Sequence, residues 1–325
     1  MVVDDGSKDA TFERAREAYG THPKVRCMTK ENGGKGEAIN FGMRHTEAEI
    51  VIVIDADTLF DADTVPLLVR HFVDPKVAAV SGNVKVGNRT NLLTRMQAFE
   101  YVSGQNLDRR AYDALQSNTV VPGAVGAWKK SVVLEEGAFS SDTLAEDSYL
   151  TVTLLRAGWK VVHENDARAY TEAPEDLKTF LKQRFRWTFG ILQVAVKHAD
   201  AIFDSKASPA LRFFVLPHTI LSQTLFPAVA PIADLATLVA LVMLVGDQFY
   251  PGIVPAMGGV GHVLGYVAVF LLMDFLTAVL AFSFEKQEDW RLLAIAPVQR
   301  LAYRFFMHKI YLRSLWTAMS GKLAT

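Results

Sequence analysis

Two carboxylates that follow a short apolar run are the first residues whose type and spacing suggest chemistry. Residues 51–54 are four consecutive β-branched residues, which is the pattern of a strand buried on both faces of a parallel sheet. Asp55 and Asp57 follow at its carboxyl end, where open α/β sheets bind their ligands. If the chain stays extended, both lie on one side and suit a divalent cation that also binds substrate phosphates. A solvated junction between strand and loop is the alternative.

Two further segments suit the diphosphate and the nucleoside of a nucleotide. Asp4 and Asp5 follow a strand at the same predicted sheet edge, where they can reach a base or a ribose. Gly33-Gly34-Lys35-Gly36 opens a helix, so its backbone N–H groups and the Lys35 ammonium can face phosphate. This loop lacks the spacing and the Ser or Thr of a Walker A loop. Taken singly, the acidic segment equally fits a turn with a helix cap.

Acidic, basic and aromatic side chains on two later helices complete the set. Glu146 and Asp147 start a predicted helix, where a carboxylate can take a proton from a hydroxyl or simply complement the helix dipole. Gln183, Arg186 and Trp187 fall at i, i+3 and i+4 and therefore share a helix face. The guanidinium suits a diphosphate, and the indole provides a plane for a sugar ring. The alternative is a juxtamembrane helix with interfacial anchors.

The elements that must position these residues alternate between strands and helices. The pattern predicts strands over residues 2–3, 25–28, 50–57, 77–81, 120–128 and 159–163. It predicts helices over residues 11–19, 37–45, 61–72, 92–115, 147–157 and 174–198. Such alternation is typical of an α/β fold with a doubly wound, mostly parallel sheet.

The composition divides the chain into two regions. The net charge of the 325 residues is −1, so no overall charge indicates binding to nucleic acid. Charged residues are dense over residues 1–206, but only four occur over residues 207–284. This asymmetry predicts a soluble domain over residues 1–205 and a membrane region over residues 206–325. The single cysteine excludes an intrachain disulfide and fits a reducing compartment.

The membrane region has the pattern of two crossings and an interfacial helix. Residues 228–245 and 262–284 are apolar enough to cross, and residues 247–261 contain no Lys or Arg. Arg300, Arg304 and His308 recur at helical spacing among apolar residues, as in a basic amphipathic helix on an anionic leaflet. The positive-inside rule then places the first domain and the carboxyl-terminal tail in the cytosol. We expect a multi-pass protein of the cell membrane.

The motifs together resemble those of the processive membrane glycosyltransferases of family 2, which make cellulose, chitin, hyaluronan and poly-N-acetylglucosamine. The resemblance rests on the order D-D-G-S, G-G-K-G, D-A-D, E-D and Q-x-x-R-W, and it covers roughly residues 1–200. Residues 120–130 and 297–304 are most similar to bacterial poly-N-acetylglucosamine synthases. The resemblance implies a GT-A fold, a Rossmann-like domain, followed by transmembrane helices.

The resemblance also implies a reaction and its partners. It implies inverting, metal-dependent transfer of a sugar from a UDP-sugar, with UDP-GlcNAc favoured, to a growing β-linked polysaccharide that is exported through the membrane. The cofactor would be Mg²⁺ or Mn²⁺. The further partners would be the glycan acceptor, the lipid bilayer and an accessory membrane subunit.

Each site residue takes its role from the matching position of the family's motifs. Asp147 would be the catalytic base, and Glu146 would orient the acceptor. Asp57 would bind the metal. The donor and acceptor would be bound by Asp4, Asp5, Lys35, Asp55, Gln183, Arg186 and Trp187.

Two departures from the family and two alternatives accompany this assignment. Ala145 stands where the family usually has threonine, and the family's first strand and amino-terminal membrane helices are expected to be missing before Asp4. One alternative is a non-processive, lipid-linked glycosyltransferase, which would not need the Q-x-x-R-W motif. The other is a non-catalytic membrane protein that binds a sugar nucleotide.

Overall fold

The computed structural model describes residues 1–222, 226–246 and 260–322, and its strands form two sheets. The strands are β1 (Val2–Asp4), β2 (Cys27–Thr29), β3 (Ile50–Val53), β4 (Thr58–Phe60), β5 (Val77–Val86), β6 (Gly126–Lys129) and β7 (Lys160–Thr171). β1 and β2 form a two-stranded parallel sheet, and the others form a five-stranded sheet in the order β3-β6-β5-β7-β4.

The five-stranded sheet is mixed, which corrects the prediction of a mostly parallel sheet. β6 is antiparallel to β3 and β5, β4 is antiparallel to β7, and only β5 and β7 pair in parallel. Local alternation of strands and helices does not reveal this arrangement, because β3 and β4 are joined by residues 54–57 alone. A parallel return in the same sheet needs a crossover of about a dozen residues.

The strand before the two carboxylates is shorter and more exposed than its sequence predicts. β3 ends at Val53, which is its one buried residue, and Ile54 is 47% exposed. β3 lies at an edge of the five-stranded sheet. Asp55 and Asp57 therefore lie in the turn that connects β3 to β4, where the backbone of Thr58 donates to the Asp55 carbonyl at 3.1 Å. Strand alternation does not place these two side chains together; the turn does.

Helices surround the sheet and continue through the carboxyl-terminal region. They are α1 (Thr11–Tyr19), α2 (Lys35–Arg44), α3 (Thr64–Val69), α4 (Leu92–Glu100), α5 (Leu107–Ala114), α6 (Lys130–Glu135), α7 (Glu146–Arg156), α8 (Leu177–Lys197), α9 (Leu216–Ile220), α10 (Phe226–Gly246), α11 (Val260–Ser283), α12 (Ala296–Val298) and α13 (Arg304–Thr317). π-helical segments cover Tyr101–Asn106, Leu211–Val215, Gln299–Tyr303 and Ala318–Lys322. Tighter 3₁₀ turns cover Arg70–Val73, Ala199–Phe203 and Trp290–Ile295.

Local sequence explains where the helices that carry the candidate site begin and end. The Asp176 side chain caps α8 by accepting from the Thr179 backbone at 2.9 Å. Asn91 and Thr94 form a reciprocal capping box at the start of α4. Gly158 ends the α7 region with a φ of +88°, a conformation that glycine adopts without strain.

The end of α11 belongs to the same apolar core as the sheet. Ala278, Ala281 and Phe282 are buried with Val80 and Val84 of β5 in one cluster. The Phe282 ring lies 5.8 Å from that of Phe99 on α4. The carboxyl-terminal region is therefore packed against the amino-terminal domain, and the boundary at residues 205/206 stays a prediction.

Residues 285–288 follow α11, and their side chains contact β5, β7 and α5. We call these four side chains the 285–288 clamp. The side chains of Glu285 and Glu288 are 2% and 3% exposed, and both bind the buried Lys85 ammonium. The contacts are Lys85–Glu285, Lys85–Glu288 (2.9 Å), Arg89–Glu288 (2.6 Å), Arg110–Glu285 (2.9 Å), Lys286–Asp166 (2.8 Å) and Arg168–Gln287 (2.7 Å).

One helix of the described residues is long and apolar enough to cross a membrane. Its apolar part is Leu264–Ser283 of α11. The apolar part of α10, Val229–Val239, is shorter than a span. The second predicted crossing is therefore not confirmed, and the predicted external segment 247–261 lies almost entirely outside the described residues.

Three basic residues of the tail pair with acidic residues of the protein, and their predicted contact with an anionic leaflet stays a prediction. Arg300 Nη1 lies 2.6 Å from Asp274 Oδ2 on α11. His308 Nε2 lies 3.0 Å from Asp234 Oδ2 on α10, and Arg304 Nε lies 3.5 Å from the same oxygen. Helical spacing indicated that the three bases share a face, but it does not reveal what that face contacts.

Candidate active site

A cleft of about 670 Å³ lies beyond the ends of β3 and β7. Eight of the ten residues singled out in the sequence line it: Lys35, Asp55, Asp57, Glu146, Asp147, Gln183, Arg186 and Trp187. They come from the start of α2, the turn after β3, the start of α7 and the middle of α8. The structure thus brings four separate motifs to one cavity, whereas Asp4 and Asp5 do not line it.

Asp4 and Asp5 are engaged within the protein. The Asp4 carboxylate accepts from the Thr29 hydroxyl at 2.8 Å and from the Ser7 backbone at 3.3 Å. Hydrogen bonding by the Ser7 side chain, and then by Thr29, lowers the pKa of Asp4. Asp5 accepts from the backbone N–H groups of Gly33 and Gly34 at 3.0 and 2.7 Å. The backbone N–H groups of Gly33 and Gly34, which were predicted to face phosphate, therefore donate to the Asp5 carboxylate. Contact of Asp4 or Asp5 with a nucleotide stays a prediction.

Several carboxylates of the cleft stabilise the positive charge of Lys35. Its ammonium forms an ion pair with Asp55 and lies so close to Gly123 that a Cβ there would overlap it. Burial lowers the pKa of Lys35, but attraction to Asp55, Asp147 and Glu146 outweighs burial, so that the pKa is raised. A stable cation at the start of α2 suits a diphosphate.

Asp57 lies beside this pair and is hydrogen-bonded by hydroxyl groups. Its Oδ1 accepts from Thr58 and Thr171, both at 3.2 Å. Among the described residues, no three side chains of His, Cys, Asp or Glu converge on one point as a complete metal site would require. Two carboxylates on one turn nevertheless fit a hard divalent cation such as Mg²⁺, which takes its remaining ligands from substrate phosphates and water.

The adjacent acids at the start of α7 differ in environment. Asp147 Oδ1 accepts from the Ser148 backbone at 2.7 Å, and its Oδ2 accepts from the Gly123 backbone at 3.3 Å. Burial raises the pKa of Glu146, the charge of Asp147 raises it further, and Lys35 and Arg186 oppose this only in part. One carboxylate is thus oriented by backbone donors, while its neighbour is driven toward the protonated form. Such a pair can divide proton acceptance from hydrogen-bond donation.

α8 approaches the start of α7 closely enough to fix these acids against the aromatic side of the cleft. A Cβ at Gly190 would lie 2.8 Å from the Ala145 backbone nitrogen and 2.8 Å from its Cβ. Trp187 lies one turn earlier on α8, with its ring 6.4 Å from that of Tyr101. The small residues at 145 and 190 therefore allow α8 to contact the start of α7.

The structure also places residues in the cleft that sequence reasoning missed. They are Glu100, Tyr101, Asp108, Arg109, Arg184 and Tyr311. Arg184 lies inside the Q-x-x-R-W segment, and Glu100 is the single acid of a largely apolar helix, so each carried a weak signal. Tyr311 had none, because its place depends on how α13 packs against α8.

The mixed sheet and the cleft define a glycosyltransferase of the GT-A fold. Residues 1–190 match the family described as "Glycosyltransferase like family 2", and the chain belongs to this family. The predicted enzyme class and fold family are thereby confirmed.

Named relatives and a solved structure agree with this class. The chain is 29% identical over 210 residues to the poly-β-1,6-N-acetyl-D-glucosamine synthase of Staphylococcus aureus strain COL, which covers 64% of this chain and 51% of the relative. The synthase of Staphylococcus epidermidis is 28% identical over 198 residues, covering 61% and 48%. The chain spans about half the length of these curated relatives. The mannosyltransferase PcManGT from Pyrobaculum calidifontis, solved with GDP-mannose and Mn²⁺, has a TM-score of 0.63 and 25% identity, covering 96% of this chain and 76% of that one.

Proposed function

We propose that this glycosyltransferase transfers N-acetylglucosamine from UDP-GlcNAc to the growing end of a β-linked polysaccharide, with inversion and processively, at a membrane. The observation that carries the proposal is the single cleft in which Asp147, Arg186 and Trp187 lie beside the Asp55–Asp57 turn. The named synthases of poly-β-1,6-N-acetyl-D-glucosamine support the choice of sugar. A soluble amino-terminal domain, multi-pass insertion and an accessory subunit belong to the same proposal.

The chemistry is one displacement at the anomeric carbon of the donor sugar. The Asp147 carboxylate takes the proton of the acceptor hydroxyl as its oxygen forms the bond to carbon 1. The bond from carbon 1 to the β-phosphate oxygen breaks, and UDP leaves with the electron pair. Lys35 and Arg186 stabilise the negative charge that develops on the diphosphate. A divalent cation, when bound, would be held by Asp57 with Asp55 beside it and would supply further neutralisation of that charge.

The aromatic side of the cleft is assigned to the acceptor. Trp187 offers an apolar plane to a sugar ring, and the Gln183 amide can hydrogen-bond its hydroxyl groups. Glu146 can hydrogen-bond the acceptor and orient it while Asp147 accepts its proton. The donor diphosphate is thus assigned to Lys35 and Arg186, and the acceptor to Gln183 and Trp187, with Asp147 between the two reacting groups.

The second candidate is a single, non-processive transfer. The solved structure that covers 96% of this chain is named a mannosyltransferase and not a polysaccharide synthase, so we keep this candidate beside the first. Product length separates the candidates, because a processive enzyme yields long chains at low turnover and a non-processive one adds single sugars. Screening of UDP-GlcNAc, UDP-glucose and UDP-glucuronate identifies the donor in the same assay.

The assignment of the base is tested by UDP release from UDP-GlcNAc with Mg²⁺ and acceptor, using the membrane-embedded protein. Asp147→Asn keeps the size of the side chain but removes its basicity, so we expect release to fall about 10² to 10⁴-fold. Asp142→Asn is the control, because Asp142 is exposed and does not line the cleft. Equal release by the Asp147→Asn variant and the wild type would remove Asp147 from the base role.

The assignment of the metal ligand is tested by equilibrium binding of UDP-GlcNAc with and without Mn²⁺. Asp57→Ala should abolish the increase in affinity that the metal produces, because it removes the ligand assigned to the cation. Asp63→Ala is the control, since Asp63 is exposed and makes no side-chain capping bond at the start of α3. An undiminished metal effect in Asp57→Ala would place the metal elsewhere.

A further inference from the structure

An ion pair between a buried arginine and a half-buried glutamate lies behind the plane assigned to the acceptor sugar. Arg184 is 2% exposed, and its Nη1 donates to Glu100 Oε1 at 3.0 Å while Nη2 lies 2.6 Å from Oε2. The Tyr303 hydroxyl donates to Glu100 Oε2 at 2.7 Å. The three side chains come from α8, the end of α4 and the π-helical segment before α13. They connect the carboxyl-terminal region to the wall of the cleft.

The Arg184 guanidinium lies against the Trp187 indole. Its central carbon is 4.5 Å from the centroid of that ring, compared with 5.4 Å for Phe180 and 5.7 Å for Tyr101. This distance is that of a cation over an aromatic face. Because the guanidinium occupies one side of the indole, a sugar ring can stack only on the other side. The orientation of Arg184 therefore sets the plane that Trp187 presents.

Charge and burial make this arrangement specific to arginine and glutamate. A planar guanidinium can make two contacts with one carboxylate and still lie flat on an aromatic ring, whereas a lysine ammonium is a point charge. Glu100 is the carboxylate that neutralises Arg184, and Tyr303 fixes one of its oxygens. Tyr303 holds Glu100, Glu100 holds Arg184, and Arg184 lies against the Trp187 indole. We call Tyr303, Glu100 and Arg184 the positioning series, because loss of one residue frees the residue that it holds.

We propose that Glu100, Arg184 and Tyr303 are positioning residues that hold the Trp187 indole for the acceptor sugar. This inference rests on the proposed role of Trp187 in the acceptor site. Tyr303 belongs to the carboxyl-terminal region, so this region affects acceptor binding through the hydrogen bond from the Tyr303 hydroxyl to Glu100. Donor binding is assigned to Lys35, Arg186 and the Asp55–Asp57 turn, none of which is a member of this series.

The experiment measures acceptor and donor KM separately, with a short N-acetylglucosamine oligosaccharide and UDP-GlcNAc, in wild type, Arg184→Lys and Tyr303→Phe. Arg184→Lys should raise the acceptor KM about tenfold, and Tyr303→Phe, which removes only a hydroxyl, about threefold, with donor KM unchanged. The emission of Trp187, obtained by subtracting the spectrum of each protein with Trp187→Phe, should shift in both variants. Tyr303→Phe keeps the test decisive if Arg184→Lys does not fold.

The control is Arg313→Lys, because the exposed Arg313 also lies 4.5 Å from a ring, that of Phe185, but outside this series. It should alter neither the acceptor KM nor the emission of Trp187. Unchanged Trp187 emission in both test variants would overturn the positioning series. An unchanged acceptor KM in Trp187→Phe itself would instead overturn the proposed acceptor role of Trp187, so the two failures are distinguishable.

Discussion

Ionised Glu146 lowers the free energy of unfolding, because the cleft disfavours its negative charge. Its pKa lies above the ordinary value of 4.5, because burial and the charge of Asp147 favour the protonated form. The folded state therefore binds more protons than the unfolded state between pH 4.5 and the folded pKa. Stability is accordingly lost as the pH rises through this window and stays lower above it.

The first prediction follows from this sign. Glu146→Gln should raise the free energy of unfolding at pH 7 and flatten its pH dependence above pH 4.5. The gain should be below about 1.4 kcal/mol for each unit of pKa elevation, since water screens the partly exposed carboxyl group. Denaturant unfolding at several pH values measures it, with Glu135→Gln as the control, because Glu135 at the end of α6 is exposed. A pH slope equal to that of the wild type would contradict the assignment; lower activity of the stabilised variant would agree with a role in acceptor binding.

At this scale the sequence predicted which residues share a cleft better than it predicted what each one contacts. The spacing of the Q-x-x-R-W motif placed Gln183, Arg186 and Trp187 on one face, and all three line the cleft. Asp5 was a candidate for nucleotide contact, yet it binds the backbone of Gly33 and Gly34. A carboxylate next to a turn has the same sequence pattern whether its donor is a ligand or the chain itself.

Among the elements, α8 contacts the loop before α7 so closely that Gly190 has no room for a side chain. Glycine in a helix costs roughly 1 kcal/mol relative to alanine, so substitution of Gly190 would ordinarily stabilise α8. Here a Cβ would meet the Leu144 and Ala145 backbone at 2.8 Å. Backbone atoms cannot move aside as the end of a side chain can.

The second prediction concerns this contact. Gly190→Ala should lower the free energy of unfolding by about 1–3 kcal/mol, the usual cost of overpacking, and should reduce activity by displacing Glu146 and Asp147. Gly104→Ala is a matched control within a helical segment, because a Cβ there meets nothing within 4 Å. Thermal unfolding of both variants measures the difference. An unchanged or raised stability of Gly190→Ala would show that α7 and α8 can separate freely.

Helices were predicted more accurately than strands, for a physical reason. α1 spans Thr11–Tyr19, the predicted range, since helix periodicity and capping are local. The strand predicted through Asp57 stops at Val53, and residues 120–128 contribute only the start of β6. Strand length and direction depend on distant partners, as in the antiparallel pairing of β6 with both β3 and β5, and no local pattern carries that information.

For the molecule as a whole, the 285–288 clamp joins regions that the composition separates. The change from a charged to an apolar composition near residue 206 predicted two domains, but Lys85 of the first region is buried against Glu285 and Glu288 of the second. Residues separated by 200 positions leave no mutual signal in one sequence. The clamp is therefore the feature that sequence reasoning could least anticipate.

The third prediction measures the clamp. Lys85→Met should lower the free energy of unfolding by about 3–5 kcal/mol, because it leaves two buried carboxylates short of their shared cation. Lys286→Ala is the control: Lys286 is 69% exposed in its pair with Asp166, so its loss should cost less than about 1 kcal/mol. Denaturation in detergent, followed by the intrinsic fluorescence, compares the two. If both variants lost less than about 1 kcal/mol of unfolding free energy, water would be able to replace the contacts that Lys85 makes with Glu285 and Glu288.

The clamp also constrains how many times the chain can pass through a bilayer. α11 contains 24 residues and is about 36 Å long, and the clamp fixes its carboxyl end to the side that holds the sheet. If α11 crosses, its amino end lies on the opposite side, so the chain between the sheet domain and residue 260 must cross an odd number of times. α10 is the apolar helix in that interval. If α11 does cross, the odd number of crossings before it follows from the four side chains of the clamp, independently of any count of positive charges.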